Sequence, residues 1–150
     1  AARLRALLPA LWRGLLLAVA GLATAVPFAV LERADAARVV ARVLALEATI
    51  SLLAGAVVLL LERLASRRRA AQGQGSQFGA GMVLALGALV CTIVGYHVVQ
   101  PLFDAARQAG DTAAMWRWHA LSAGFFVLKG VLVAALAWRA AGPISRAPSS

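Results

Sequence analysis

The sequence predicts an all-α integral membrane protein, an antiparallel bundle of four transmembrane helices. Three observations predict it. The 150 residues are 62% hydrophobic, with a mean hydropathy of +0.82, where a soluble domain is nearer half apolar. The apolar residues gather into four runs, each close to the roughly 20 residues that carry a helix across a bilayer. Short arginine clusters stand between the runs, which is how membrane topology is written. A helix is the element that satisfies its own backbone in hydrocarbon without closing a barrel.

The first span covers residues 14–31, GLLLAVAGLATAVPFAVL. Pro27 sits late in it and is expected to kink the helix. Arg3, Arg5 and Arg13, an apolar run and then Ala23-Thr24-Ala25 imitate a signal peptide with its cleavage site. The run continues through Val26-Pro27-Phe28, which favours a retained span. The second span covers 43–61, the third 78–102 and the fourth 120–138. Gly142-Pro143 stops the last helix, and residues 143–150 are expected to form a disordered tail after a single domain, 1–142. Trp12, Trp116, Trp118 and Trp138 fall near predicted span ends, as an aromatic belt requires. Odd and even spans share no motif, so no inverted-repeat transporter pattern is present.

A net charge of +9 raises the question of nucleic acid. The distribution of charge excludes it. The N-terminal segment, the loop 62–77 and the C-terminal tail carry nine arginines, against five on the other side. The positive-inside rule then places both termini in the cytoplasm. Arginine and alanine dominate over lysine, a composition typical of a GC-rich bacterial genome. The run Arg67-Arg68-Arg69 reads as a topology anchor beside a flexible loop, with anionic headgroups as the alternative contact.

Lipid gives helices little hydrophobic reason to associate, so small residues four apart mark close contacts. Gly21, Ala25 and Ala29 form such a row on the first span; Gly87, Cys91 and Gly95 on the third; Gly130 and Ala134 on the fourth. Glu47, Ser51 and Gly55 share one face of the second span. Cys91 is the lone cysteine and packs as a small hydrophobe.

Glu47 and Lys129 are charges inside apolar spans, each costing about 3 kcal/mol at mid-membrane unless it faces a partner. A Glu47–Lys129 ion pair that fixes packing is expected; a proton or ion relay is the functional alternative. Glu47 is expected about one turn from the outer end of its span. His97 and His119 fall toward the outer side, at the depth of Tyr96, Gln100, Ser122 and Thr49. Two histidines on adjacent helices could ligate haem or copper. No CxxCH, His-rich or Met-rich tract accompanies them, so a hydrogen-bonded histidine pair is expected and no cofactor. Pro101 is expected to end or bend the third span and free a carbonyl near His97. Asp104 and Asp111 read as solvated loop charges. No nucleophile elbow, phosphate loop or paired carboxylates are present, and no enzyme is expected.

Two stretches, VGYHVVQPLFDAAR and WRWHALSAGFFVLKGVLVAALAWR, resemble a bacterial family of four-span membrane proteins. This is domain-of-unknown-function family 4149, related to animal transmembrane protein 205. The motif residues map onto Gly95, Tyr96, Gln100, Pro101, Arg107, His119 and Ser122, with the run Phe125 to Lys129. The first half is similar through Trp12, Gly14, Pro27-Phe28 and EATISLLAG. Many relatives carry a glycine after the histidine and an asparagine seven positions on, where this chain has Ala120 and Phe126. The resemblance implies the four-span fold and the bacterial inner membrane, and no established activity. A second similarity is to copper-resistance D-type membrane domains, whose copper pathway is not reproduced here.

Three functions follow in order of support. The first is a structural or accessory subunit that packs against a larger membrane complex or itself. The second is a small transporter or channel using Glu47, Lys129 and the outer histidines. The third is a haem or metal binder using His97 and His119. The partners expected are the bilayer and other membrane subunits or a second copy.

Overall fold

Strong helix formers precede the first, second and fourth apolar runs and follow the second, third and fourth, so most helix ends continue past the apolar residues. The computed structural model describes residues 2–142; the expected tail 143–150 lies outside them. Four helices are long and apolar enough to cross a membrane: α1 (Arg3–Val30), α2 (Arg33–Ala71), α3 (Ala80–Gln108) and α4 (Thr112–Ala140). No strand is present among the described residues. At 39 residues, α2 is roughly 58 Å long at 1.5 Å per residue and overhangs a hydrocarbon layer of about 30 Å.

The expected loop between the first two spans shrinks to Leu31-Glu32, because Arg33, Arg38 and Arg42 sit in the first turns of α2. The α3–α4 connection is equally tight. Gly110 takes a φ of +71°, and Asp111 N–H donates to the Ala106 carbonyl at 3.0 Å, a glycine-closed helix end. The Asp111 carboxylate then accepts from Ala114 N–H at 2.9 Å and caps α4. Asp111 is thus a cap where a merely solvated charge was expected.

Around the bundle, α1 packs on α2 and α4, and α3 packs on α2 and α4, so α1/α3 and α2/α4 face each other across diagonals. Neighbours run antiparallel: Arg5 meets Glu62 and Trp12 meets Ser51, while Gly87 lies by Leu132 and Gly95 by Phe125. Two apolar layers fill the interior. One is built on Trp12, Leu16, Ala88 and Val133, the other on Val58, Ala85 and Leu136. No more than 33% of any span is buried inside the molecule. The outer surface, with Leu53, Val83 and Val127 each well over half exposed, suits a lipid bilayer.

Trp12 departs from the expected aromatic belt. It is 2% exposed, whereas Trp116 and Trp138 are 60% and 83% exposed. Because α1 begins near Arg3, Trp12 lies well inside the helix and not at its end.

Two helices widen locally. A π turn spans Val19–Ala23 before Pro27, and another spans Ile93–Val98 before Pro101. Proline lacks the N–H that would bond residue i−4 and crowds that carbonyl, and a π turn just upstream is one way of absorbing the mismatch. Pro101 was expected to end or bend α3; the helix runs on to Gln108.

Glycines mark the closest approaches. A Cβ on Gly55 would lie 2.6 Å from Leu89 Cδ2, one on Gly87 3.1 Å from Leu132 Cδ1, and one on Gly95 2.8 Å from Phe125 Cβ. At Gly21 and Gly130 an added Cβ would meet nothing within 4 Å; these two, expected at helix contacts, meet no other helix among the described residues. Ala25, from the same row, is exposed. Gly95→Ala is expected to destabilise by about 1–3 kcal/mol, since the Phe125 Cβ is backbone-anchored and cannot swing aside. Gly124→Ala, with open space around it, should be neutral or stabilising by up to about 1 kcal/mol. Thermal unfolding of both variants in detergent checks this, and equal midpoints would contradict the packing described.

Candidate functional site: a buried ion pair across the bundle diagonal

Glu47 enters the interior from α2 and Lys129 from α4. Lys129 Nζ donates to Glu47 Oε1 at 2.7 Å and to Oε2 at 2.9 Å, and both side chains are 4% exposed. Both carboxylate oxygens are engaged, the geometry of a charge-assisted pair. Glu47 lies fourteen residues into α2, roughly 21 Å from its start, because the helix begins ten residues before the apolar run at 43.

Residues one turn along α2 extend the pair. Ser51 Oγ donates to Glu47 Oε1, and Trp12 Nε1 donates to Ser51 Oγ at 2.8 Å. Gly55, one further turn on, makes this possible. A Cβ there would sit 3.2 Å from Trp12 Cη2, so the bare backbone leaves room for the indole against α2. Lys129 Nζ also lies 4.8 Å from the centroid of the Phe126 ring, within range for a cation–π contact. Among the described residues no buried side-chain nitrogen or oxygen lacks a partner.

The third helix contributes a wall of a small cavity instead of a bond to the pair. A space of about 40 Å³ is lined by Leu44, Glu47, Cys91, Thr92, Gly95, Tyr96, Gln100, Ser122, Phe126 and Lys129, enough for two or three waters at roughly 15 Å³ each. The π turn of α3 forms part of its wall. Ser122 Oγ donates to the Gly95 carbonyl at 3.0 Å, and Thr92 Oγ1 to the Ala88 carbonyl at 2.9 Å. Of the residues singled out in the sequence, Glu47, Cys91, Gly95, Tyr96, Gln100, Ser122 and Lys129 meet here.

His97 and His119 do not. Both are exposed. His97 stacks edge-on against Tyr96 at 5.1 Å, and His119 against Trp116 at 5.8 Å with Phe103 at 6.1 Å. Among the described residues neither imidazole makes a hydrogen bond, so the expected histidine pair is not formed. No group of three or more His, Cys, Asp or Glu side chains is arranged to hold a metal among the described residues. Pro101 lies downstream of the π turn, and Arg107 lines a separate groove with Arg33 and Arg38.

The model of the family described as domain of unknown function DUF4149 matches residues 7–112. This chain belongs to that family. The DUF4149 match takes in Trp12, Glu47, Ser51, Gly55 and the π turn of α3, and it ends at the first residue of α4. Lys129, His119 and Ser122 lie beyond it. No curated protein and no solved structure matches the chain.

Sequence reasoning missed Trp12 and a second polar cluster. Arg5 Nε lies 3.4 Å from Glu62 Oε1, and a Cβ on Gly81 would collide with the same carboxylate. The signal for Trp12 was present in the spacing of Trp12, Leu16 and Val19, one continuous apolar stripe that starts before the first glycine of the run.

Lys129→Met is expected to cost about 3–5 kcal/mol, because it leaves Glu47 buried without its partner, and Glu47→Gln combined with Lys129→Met should cost less than Lys129→Met alone. A double-mutant cycle in detergent measures the coupling. A cycle that closes additively would show that the two side chains do not act as a pair.

Proposed function

We propose that this chain is a non-enzymatic helical subunit of the bacterial inner membrane, with both termini cytoplasmic, that packs through α1 against another membrane protein or a copy of itself. The observation that carries this reading is an outward row of small residues. Gly14, Ala18, Gly21 and Ala25 are spaced by three or four residues and all are exposed; an added Cβ at Gly14 or Gly21 meets nothing within 4 Å. Glycine within a helix costs about 1 kcal/mol relative to alanine. Inside the bundle, at Gly55 and Gly95, close approach offsets that cost. On α1 nothing among the described residues does, and a second helix laid along the row would.

The interior supports the same reading. The Glu47–Lys129 pair is closed by Ser51 and Trp12, and it braces the bundle. A small transporter is the second reading, supported by the cavity that touches both charges. Haem or copper held by His97 and His119 has less support, because each ring stacks on different aromatics.

Native mass spectrometry of protein extracted in mild detergent tests the proposal. The expected result is a complex heavier than the 15.5 kDa chain, reduced to the single chain by Gly14→Leu with Gly21→Leu at an unchanged unfolding midpoint. A single chain throughout, also in cross-linked native membranes, would refute it. A flux in proteoliposomes that disappears in Glu47→Gln would favour the transporter.

A further inference from the structure

A groove of about 510 Å³ runs between α2 and α3 on the outer surface near the α2–α3 connection. Its wall along the membrane is apolar, formed by Ala56, Leu60, Met82 and Leu86 among others, and its end is formed by Arg63, Arg67 and Gln77. Arg63 and Arg67 are four residues apart on α2, so they share one face. Both are exposed, and among the described residues neither forms an ion pair or side-chain hydrogen bond. They differ in this from Arg5, which meets Glu62, and from Arg69, which donates to Ser66 Oγ at 3.2 Å.

We propose that this groove is a binding site for an anionic phospholipid. Arg63 and Arg67 take the phosphate, and an acyl chain lies along Leu60, Ala56 and Leu86. Two features point to a lipid of this charge. Two guanidiniums without an ion pair among the described residues line the same groove, and guanidinium recognises phosphate through paired N–H donors. The apolar wall continues from them in the direction of the hydrocarbon, so one molecule with an anionic head and a long apolar tail matches both parts. Two other grooves carry arginines but no long apolar wall. Arg33, Arg38 and Arg107 line one with the alanines 34, 37 and 41, and Arg38 is already paired with Asp35; Arg5, Arg69 and Arg139 line the other around the Glu62 carboxylate.

The test uses delipidated protein titrated with phosphatidylglycerol or phosphatidylcholine, with bound lipid read by native mass spectrometry. Phosphatidylglycerol should bind the more tightly. Arg63→Gln with Arg67→Gln should weaken it roughly thirty-fold, as expected of two arginines each contributing about 1 kcal/mol. Ala56→Trp keeps both arginines but fills the apolar wall, and it should also weaken binding. Arg33→Gln with Arg107→Gln should leave binding unchanged. Equal binding of the two lipids overturns the proposal, as does loss of binding in the Arg33/Arg107 variant but not in the Arg63/Arg67 variant. Binding unaffected by Ala56→Trp would mean that surface charge alone attracts the lipid, and it would overturn the groove.

Discussion

The Glu47–Lys129 pair sets the register of the whole bundle. Its partners come from α2 and α4, which face each other across the diagonal and do not pack side by side. A slip of one residue along either helix would rotate its charge by about 100° and move it by about 1.5 Å, taking it out of reach of its partner in an environment where an unpaired charge costs several kcal/mol. Trp12 and Ser51 carry the same constraint to α1. Three of the four helices are therefore tied through one chain of polar contacts, and apolar packing needs only to fill the space around it.

The remaining helix, α3, is held differently. It contributes no side chain to the pair and approaches α4 through Gly95, where Phe125 leaves no room for a Cβ, and through the Ser122 bond to the Gly95 carbonyl. The π turn at Ile93–Val98 places that carbonyl and the neighbouring Tyr96 beside the cavity. A widened turn shifts the register of residues on either side of it relative to a regular helix. The same device recurs on α1, diagonally opposite, where a π turn again precedes a proline. Both π turns fall in the half of the bundle away from the termini, the half that contains the cavity.

Much of this was legible in the sequence. The four spans followed from hydropathy, and the shared face of Glu47, Ser51 and Gly55 followed from helical spacing alone. The pairing of Glu47 with Lys129 followed from the cost of leaving either charge bare in lipid. The overhanging helix ends were not legible, because hydropathy marks where a helix is apolar and not where it stops; the alanine- and arginine-rich flanks are good helix formers in water. That is why Trp12, buried inside the bundle, was expected in the aromatic belt. The separation of His97 and His119 was hidden for another reason. Depth can be estimated from position in a span, but azimuth within a helix containing a π turn cannot be read from a regular 100° repeat. Asp111 was misread because capping depends on where α4 begins, eight residues before its apolar run.

The small residues divide into two sets with different consequences. Those facing inward, Gly55, Gly81, Gly87 and Gly95, are filled by named neighbours: the Leu89 side chain, the Glu62 carboxylate, Leu132 and Phe125. Those facing outward on α1, Gly14 and Gly21, are filled by nothing among the described residues. In water such a difference would be unremarked, but in lipid an open glycine gives up packing that only another helix can restore. The basic groove between α2 and α3 shares no residue with that row and lies on different helices. A protein partner on α1 and a lipid between α2 and α3 therefore do not compete for surface. The ion pair keeps both faces in fixed relation, because it is anchored in α2 and α4 and reaches α1 through Ser51 and Trp12.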